Sequence, residues 1–548
     1  MFSAMRPAAG RGGGIIFPQR VYFFLLWKGG DFVIIGVIMK KIFLSAFAAA
    51  AALSAFAAYE KVEEVEPSLP LPNNQWEEIG RIKHKSAAEI ADSRLSVGFE
   101  CLDRDMFEPE KVYDKLAAIG IKWARCQTGW SKTERQKGVY DFKWLDDIVD
   151  NLIKRGIKPW FNVGFGNPIY MGEMKNPTGV GYVPLYFGEE CLQAWKNYID
   201  ALSKHFKGRV QYFEIWNEAN INEFWQPKKA DPAEYIELVK ITGEIIRKNI
   251  PDAKIGAVNS GPYRKYSAEF FRLGGGKYVD FYAIHPYCVI PEERHDSDTR
   301  AFRRLFKQYA PDREISLWQG ESGFGSDYPE GHYMRPATKG GEYMQAKWTL
   351  RRFTLDLASG YGLTSIYQCV DLKDGYQMAT GGKPLFAKYG LFENNTYRPK
   401  KSVEILKNYT PIFDADTKPY ALSAAVATRY AVPEGVGVSR LVDSAKRVET
   451  FERKGHPLYA FWLSEDMQVQ MKPIANAALN YIEELPMKNP VLIDPISGRV
   501  FACDAKNKRA VYGNPLVGYS LRGVPLADYP LIITDYDAVG DLIVPLAK

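Results

Sequence analysis

Motifs that bind metals or carry redox chemistry are scarce in this sequence. Its 548 residues include only six histidines and six cysteines. The histidines form neither an HxH nor an HExxH pattern, and no two cysteines have the CxxC spacing. We therefore predict no metal site and no cofactor. Four of the six cysteines fall in or just after predicted strands, where cysteine packs as a small apolar residue, so we expect mostly free thiols.

A strong excess of charge of either sign is also lacking. The formal net charge is +6, but the first 57 residues hold six Lys or Arg and only one Asp. The rest of the chain is therefore nearly neutral, which gives no electrostatic reason to expect a nucleic-acid partner. The length exceeds that of one ordinary domain, so we expect at least two.

The sequence near the N-terminus has the pattern of a targeting signal. From Met39 it reads MKKIFLSAFAAAAALSAFA, with two lysines, an apolar run and small residues at its end. This pattern predicts a signal peptide over 39–57 with cleavage near Ala57. We expect export to the periplasm or beyond and no stable membrane insertion after cleavage; an uncleaved anchor is the alternative. We interpret residues 1–38 as an extension from an upstream start assigned in error.

The central part of the sequence alternates short apolar strands with amphipathic helices. Residues 58–92 are polar and contain prolines, and we interpret them as a linker or edge segment. Eight strand–helix units follow within 93–410, which predicts a closed (β/α)8 barrel, the TIM-barrel fold. Residues 411–548 have short strands broken by turn residues, which predicts a C-terminal β-sandwich. The predicted barrel strands are 93–100, 121–128, 157–166, 209–220, 254–261, 279–287, 314–323 and 363–371.

Two glutamates stand at the ends of predicted barrel strands. Glu218 ends the fourth strand within FEIWNEAN, and Glu321 ends the seventh within SLWQGESG. Catalytic side chains of such barrels come from the C-terminal ends of the strands, and the fourth and seventh strands face each other across the mouth. Two facing carboxyl groups are what glycoside hydrolysis requires. A single acid on a barrel loop would be weak support, so the prediction depends on the pair.

The two glutamate motifs resemble those of a known group of enzymes. WNEAN at 216–220 and QGESG at 319–323 are similar to the paired motifs of clan A retaining glycoside hydrolases. Within that clan the chain is most similar to glycoside hydrolase family 39, a β-xylosidase-like group with a C-terminal β-sandwich. The segments GFECLDRDMF (98–107), WARCQTGW (123–130) and HPY (285–287) fit the same comparison.

The resemblance implies roles for four residues. Glu218 corresponds to the general acid/base and Glu321 to the nucleophile. Asn217 corresponds to the residue that binds the sugar 2-hydroxyl, and Arg125 to the arginine that keeps the nucleophile ionised. These roles agree with chemistry, because a nucleophilic carboxylate needs a cation beside it and an acid needs a less charged environment.

Four further residues are candidates for substrate contact. His285 and Tyr287, at the end of the sixth strand, could bond the nucleophile or a sugar hydroxyl, with ordinary rim residues as the alternative. Glu100 ends the first strand and could contact sugar. Trp130 could line a subsite or could pack in the core. Glu214, four residues before Glu218, is predicted to be a buried, paired structural acid.

The predicted eighth strand departs from the family pattern. Many clan members end it with a tryptophan below the reacting sugar, but this chain reads SIYQCVD. Tyr367 or Gln368 is the candidate replacement, so the substrate of the family is not carried over directly.

The sequence as a whole predicts an exported, metal-independent, retaining glycosidase. We expect an oligo- or polysaccharide substrate and exo-action on a β-linked sugar. The alternatives are an endo-acting glycanase of the same clan, a non-catalytic carbohydrate-binding barrel and a metal hydrolase. The sequence leaves the sugar, the linkage and the oligomeric state open.

Overall fold

The computed structural model describes most of the chain after residue 65 and a short hairpin before it. The hairpin consists of β1 (Leu25–Lys28) and β2 (Asp31–Ile34) and belongs to a separate compact unit. The second unit, Lys61–Lys548, contains all the other elements, beginning with strand β3 (Trp76–Ile82). The predicted signal peptide lies outside the described residues. The described ranges are 25–28, 31–34, 66–71, 75–172, 174, 176, 178–261, 264–329, 332, 334, 341–374, 387–428, 446–464, 474–504, 508–512 and 517–547.

Eight parallel strands close into a barrel, as the sequence predicted. Each strand pairs with its neighbours in the chain, and the last closes against the first, with Ser365 opposite Ser96. Their residues are buried almost throughout, as expected for a parallel sheet covered by helices. The strands are β4 (Leu95–Gly98), β5 (Trp123–Gln127), β6 (Lys158–Val163), β7 (Tyr212–Ile215), β8 (Lys254–Ser260), β9 (Phe281–His285), β10 (Ser316–Ser322) and β11 (Leu363–Ile366).

Local sequence signals explain where the helices begin and which face they bury. The side chain of Asp231 accepts hydrogen bonds from two backbone amides of the helix that follows, and Pro232 occupies its first turn. The α-helices of the described residues are α1 (Tyr113–Ala117), α2 (Trp130–Thr133), α3 (Lys143–Lys154), α4 (Pro168–Met171), α5 (Gly188–His205), α6 (Pro232–Asn249), α7 (Arg264–Arg272), α8 (His295–Tyr309), α9 (Glu342–Ala358), α10 (Lys401–Tyr409) and α11 (Tyr536–Val539). Short 3-10 turns lie at Leu102–Arg104, Pro109–Lys111, Pro184–Tyr186, Asn222–Phe224, Gly275–Lys277 and Gly540–Leu542.

Two antiparallel sheets follow the barrel and confirm the predicted β-sandwich. The larger sheet has the strand order β12-β14-β15-β21-β17-β18-β3-β22, and the smaller has the order β13-β16-β20-β19. None of the six cysteines, all of which lie in described ranges, forms a disulfide. The strands are β12 (Thr417–Pro419), β13 (Ala424–Thr428), β14 (Lys446–Arg453), β15 (His456–Leu463), β16 (Ile474–Ile482), β17 (Pro490–Ile493), β18 (Arg499–Cys503), β19 (Lys508–Tyr512), β20 (Val517–Leu526), β21 (Leu531–Asp535) and β22 (Ile543–Pro545).

Strand β3 precedes the barrel in the chain but belongs to the larger C-terminal sheet. It pairs with β18 on one side and β22 on the other. The segment 58–92, which the sequence analysis interpreted as a linker or edge segment, therefore supplies an interior strand of that sheet. Trp76 is buried there, and its Nε1 donates a hydrogen bond to the Gly523 carbonyl at 2.7 Å.

Buried polar contacts join the barrel to the C-terminal sheets. Glu292, in the loop after β9, accepts hydrogen bonds from Arg351 Nε at 2.8 Å and from Trp462 Nε1 at 2.6 Å. A second ion pair joins Lys347 Nζ to Asp528 Oδ1 at 2.8 Å. Both side chains of this second pair are at most 8% exposed. The loop that follows β9 is thus bonded directly to the sheet domain.

Candidate active site

The two predicted glutamates lie together at the C-terminal mouth of the barrel. Glu218 follows β7, and Glu321 lies near the end of β10. A carboxylate oxygen of Glu218, a ring nitrogen of His285 and a carboxylate oxygen of Glu321 all lie within 4.8 Å of one another. Retaining glycosidases hold their two carboxyl groups roughly 5–5.5 Å apart, and inverting ones about 6.5–9.5 Å apart. The approach of the two carboxyl groups to within 4.8 Å lies below the inverting range.

A strained turn after β7 presents Glu218. Trp216 has φ 70° and Glu218 has φ 43°, a left-handed conformation that residues other than glycine rarely adopt. Trp216 is fully buried, and its Nε1 donates to the Phe224 carbonyl at 2.5 Å. Asn220 exchanges two hydrogen bonds with the backbone of Ser260, at 2.7 and 3.1 Å. These contacts hold a turn that would otherwise be unfavourable.

Arg125 connects both sides of the site. It is fully buried on β5, and its Nη1 lies 2.8 Å from Glu321 Oε2 and 2.9 Å from Glu100 Oε1. Its Nη2 donates to Asn217 Oδ1 at 2.8 Å, and its Nε donates to Glu214 Oε1 at 3.1 Å. Burial lowers the pKa of Arg125, but the three surrounding carboxyl groups raise it well above its usual value. The guanidinium is therefore a permanent cation at the centre of the site.

Glu321 receives donors on both carboxyl oxygens. Arg125 contacts Oε2, and the half-buried Tyr287 donates its hydroxyl hydrogen to Oε1 at 2.8 Å. A cation and a hydroxyl donor both favour the charged form of a carboxyl group. This environment suits a nucleophile.

Glu218 has a less charged environment. Its Oε1 lies 3.0 Å from His285 Nδ1. Burial raises the pKa of Glu218 to about 7, although a hydrogen bond with Ser260 and the charge of Arg125 act in the opposite direction. Burial lowers the pKa of His285 to about 4, so this histidine is neutral near pH 7. The neutral imidazole does not stabilise ionised Glu218 as a cation would, and this environment suits a general acid.

Three tyrosines form an aromatic wall beside Glu321. The ring of Tyr389 lies 5.8 Å from that of Tyr287 and 5.8 Å from that of Tyr367. Tyr287 and Tyr367 were predicted from the sequence, and Tyr389 was not. Tyr389 lies in a loop after β11, outside any strand or motif, so no sequence pattern marked it. The structure thus brings Tyr367 to the site as one member of a larger cluster.

Trp130 packs in the core, which is one of the two alternatives that the sequence left open. Trp130 is fully buried in α2, where its Nε1 donates to Glu134 Oε2 at 2.6 Å. Its ring stacks against those of Tyr170 and Tyr198, at 5.6 and 5.8 Å. No face of this indole is accessible to a sugar, so the packing alternative accounts for it.

Glu218, His285 and Glu321 are residue types that can also hold a metal ion. The cationic Arg125 already lies 2.8 Å from Glu321, and His285 is bonded to Glu218. A second cation in the same space would be repelled by the guanidinium. The arrangement suits proton transfer and carboxylate attack better than metal binding.

Comparisons with known proteins agree with the predicted resemblance. The model of the family "Glycosyl hydrolases family 39" matches residues 112–294. A beta-xylosidase of Geobacillus stearothermophilus is 25% identical over 167 residues, which cover 28% of this chain and 31% of the relative. A beta-xylosidase of Caldicellulosiruptor saccharolyticus is 26% identical over 160 residues, with 27% and 31% covered. The chain thus spans less than a third of the length of these two relatives.

A solved structure extends the likeness to the whole fold. A family 39 glycoside hydrolase from the gut symbiont Bacteroides cellulosilyticus WH2 has a TM-score of 0.55 and 19% identity, with 80% of each chain covered. This likeness confirms the fold, and together the comparisons confirm that the chain resembles family 39. The family match includes Glu218 but ends before Glu321, so the position of Glu321 is supported by geometry alone.

Proposed function

We propose that the protein is a retaining glycoside hydrolase that cleaves O-glycosidic bonds by double displacement. The observation that carries this proposal is the approach of Glu218 and Glu321 to within 4.8 Å in opposite environments. One carboxyl group has a cation and a hydroxyl donor beside it, and the other has a neutral imidazole. Two carboxyl groups whose environments separate their proton affinities can act as nucleophile and acid.

The proposed reaction has two steps. Glu321 attacks the anomeric carbon while Glu218 gives its proton to the departing oxygen, and a glycosyl ester forms on Glu321. Glu218, now ionised, takes a proton from the water that attacks the same carbon and releases Glu321. Asn217 is oriented by its bond from Arg125 to Oδ1, so its amide nitrogen can donate to the sugar 2-hydroxyl.

We propose a β-linked sugar at a chain end as the substrate, because the two matched relatives are named beta-xylosidases. The tyrosine wall beside Glu321 offers apolar surface to one face of a sugar ring.

Within the part of the chain that is described, no helix has the length and hydropathy needed to cross a membrane. We further propose export after cleavage near Ala57, on the basis of the signal-like sequence alone.

The decisive experiment replaces each glutamate by glutamine. Glu218→Gln should lower the hydrolysis of an aryl glycoside about 10²–10⁴-fold, as loss of a general acid does. The loss should be smaller for a dinitrophenyl leaving group, which needs no proton. Glu321→Gln should abolish turnover with either leaving group, because no ester can form.

The control for these variants is Glu244→Gln, on the exposed face of α6. Circular dichroism checks that every variant folds. NMR of the first-formed sugar should show retained anomeric configuration. A near-normal rate for Glu218→Gln or Glu321→Gln, or an inverted product, would overturn the proposal.

A substrate panel identifies the sugar and the mode of action. Protein that lacks the first 57 residues is assayed on aryl xylosides, glucosides, galactosides, arabinosides, fucosides and uronides. Release of single sugars from an oligosaccharide supports exo-action, and a mixture of shortened chains supports an endo-acting glycanase instead.

A further inference from the structure

Three carboxyl groups contact Arg125, and its single positive charge cannot neutralise all of them. Glu100 and Glu321 both contact its Nη1, at 2.9 and 2.8 Å, and Glu214 contacts its Nε and Nη2. Glu100 is 2% exposed and Glu214 is fully buried. An ionised carboxyl group without its own cation is very costly in such surroundings, and the usual outcome is protonation. At least one of the three carboxyl groups is therefore expected to carry a proton.

Hydrogen bonding indicates which carboxyl group is protonated. Glu214 Oε1 accepts from Nε and Nη2 of Arg125 and from Asn162 Nδ2, the last at 2.9 Å. Glu321 accepts from Arg125 and Tyr287. Both sets of donors favour the ionised form. Glu100 Oε1 and Glu214 Oε2 are both buried without a well-formed hydrogen bond, but Glu214 has three donors on its other oxygen, whereas Glu100 has only the shared Nη1 beside it. Glu100 is thus the least stabilised as an anion.

The groups that face Glu100 support the same assignment. Burial raises the pKa of Glu100 to about 8; Arg125 on β5 lowers it, and Glu321 on β10 and Glu214 on β7 raise it further. The adjacent thiol of Cys101 has its pKa raised by burial to about 12. The pKa of Tyr367, after β11, lies well above its usual value, again because of burial. Neither a thiol nor a phenol can carry a positive charge, so these two neighbours do not compensate an ionised Glu100. The cation that lowers the pKa of both is Arg104, which is bonded to Cys101 and Gln127.

We propose that Glu100 is a neutral carboxylic acid in the resting protein and binds a ring hydroxyl of the sugar whose anomeric carbon lies between Glu218 and Glu321. The binding part of this inference depends on the proposed function, and the protonation part does not. A carboxylic acid offers both an O–H donor and a carbonyl acceptor, which matches the needs of a hydroxyl group.

The position of Glu100 at the mouth of the barrel suits a residue that contacts the substrate, not an acid with a purely structural role. It follows β4 at the mouth, and it flanks the guanidinium nitrogen that holds the nucleophile. Asn217 lies on the other guanidinium nitrogen, Nη2. The hydroxyl that Glu100 binds is therefore not the 2-hydroxyl assigned to Asn217. Its 2% exposure is comparable to the 5% of Asn217 and the 8% of Glu218.

The protonation is tested without any substrate. Wild-type protein and Glu100→Gln are titrated from pH 6 to pH 10, and the protons released per chain are counted. The wild type should release one proton more than Glu100→Gln, because only it carries an ionisable group at this position. Glutamine has the shape of the neutral acid, and melting curves check that the variant is folded. Equal proton release in this range would overturn the protonation of Glu100.

Sugar binding is tested by comparing two variants on the aryl glycoside that the wild type hydrolyses best. Glu100→Ala should lower kcat/KM about 10–100-fold, the range for a lost hydrogen bond to a buried polar partner. Glu100→Gln should restore most of that loss, because it keeps a donor and an acceptor. If glutamine is as poor as alanine, the neutral-acid role is wrong.

Deoxygenated substrates then locate the hydroxyl. The penalty of Glu100→Ala should vanish on the aryl glycoside that lacks the bound hydroxyl and persist on its isomers. A penalty that is the same for all deoxy sugars would overturn the contact. If the wild type hydrolysed no glycoside, the proposed function and with it the sugar contact would fail, whereas the titration would still decide whether Glu100 is protonated.

Discussion

Single residues give the two carboxyl groups of the site different environments. Glu218 and Glu321 share one chemistry and one cavity, yet Glu321 contacts a guanidinium and a phenol whereas Glu218 contacts a neutral imidazole. The low pKa of His285, about 4 because of burial, matters here. A charged imidazolium would stabilise ionised Glu218 and remove the acid.

The pH dependence of activity follows from the pKa of Glu218. Only protonated Glu218 can assist a poor leaving group, and burial raises its pKa to about 7. We expect kcat/KM on such a substrate to fall as the pH rises through about 7. His285 titrates near 4 and does not contribute in this range. The measurement is a pH profile from 5 to 9. Glu218→Gln should lack the fall near pH 7, whereas a fall near pH 8 from the ionisation of Glu100 should remain. If the fall in kcat/KM near pH 7 were unchanged in Glu218→Gln, it would belong to the titration of another group.

The same pKa predicts a pH-dependent cost in stability. The pKa of Glu218 rises from 4.5 to about 7 on folding, so the folded state binds the proton more tightly. The stability that this tighter proton binding gives to the folded state is fully present below about pH 4.5 and is lost as the pH rises through about 7. Glu218→Gln should therefore gain up to about 3 kcal/mol relative to the wild type between pH 5 and pH 8. Urea unfolding at the two pH values measures the gain, and an equal difference at both would contradict it.

The juxtaposition of Glu218 and Glu321 was predictable from sequence because its signals are local. Each lies at or near the end of a strand that periodicity identifies, and barrel geometry brings strand ends together. Arg125 was indicated by the family resemblance instead. The choice between a subsite and the core for Trp130 could not be made from sequence, because the packing of Tyr170 and Tyr198 around it depends on segments distant in sequence.

The loop after β7 is the element on which the site depends most. Its left-handed residues Trp216 and Glu218 explain why the fourth strand ends at Ile215, although the sequence predicted it to continue to residue 220. Apolar periodicity continues through Trp216 and gives no sign of the turn. The overall order of strands and helices was predictable, whereas this strand end was not.

Asn220 supports this loop and offers a test at the same scale. Asn220→Ala removes two hydrogen bonds to Ser260 and should cost about 1–3 kcal/mol of stability. It should also lower kcat roughly tenfold or more, because small displacements of a reacting group are costly. Assay and thermal unfolding measure both effects. The control is Asn197→Ala, at an exposed position on α5, and equal kcat for the two variants would contradict the role of the loop.

In the molecule as a whole, the C-terminal sheets contact the loop after β9 and help to position it at the mouth of the barrel. Glu292 follows Tyr287 in the loop after β9 and bonds both Arg351 of α9 and Trp462 of β15. Burial raises the pKa of Glu292, but Arg351 and Trp462 lower it below its usual value. The loop that carries Tyr287 is therefore positioned partly by the C-terminal sheets.

Removing this carboxylate should destabilise the protein as a whole. Glu292→Ala leaves the buried guanidinium of Arg351 without this partner, which typically costs about 3–5 kcal/mol. We expect a lower unfolding midpoint together with reduced activity, since Tyr287 loses its support. The adjacent, exposed Glu293→Ala is the control. Calorimetry and the aryl glycoside assay provide the measurements, and similar midpoints for the two variants would contradict the bracing role.

Strand β3 has a consequence for how the chain is made. Its residue Glu78 contacts Arg499 across 421 residues, and its second neighbour, β22, is made later still. At roughly 5–20 residues per second, a ribosome needs on the order of 20–80 seconds to supply the first of these partners. During that time β3 emerges before the barrel with no strand to join. The nascent protein must therefore keep an early strand from pairing wrongly until translation is almost complete.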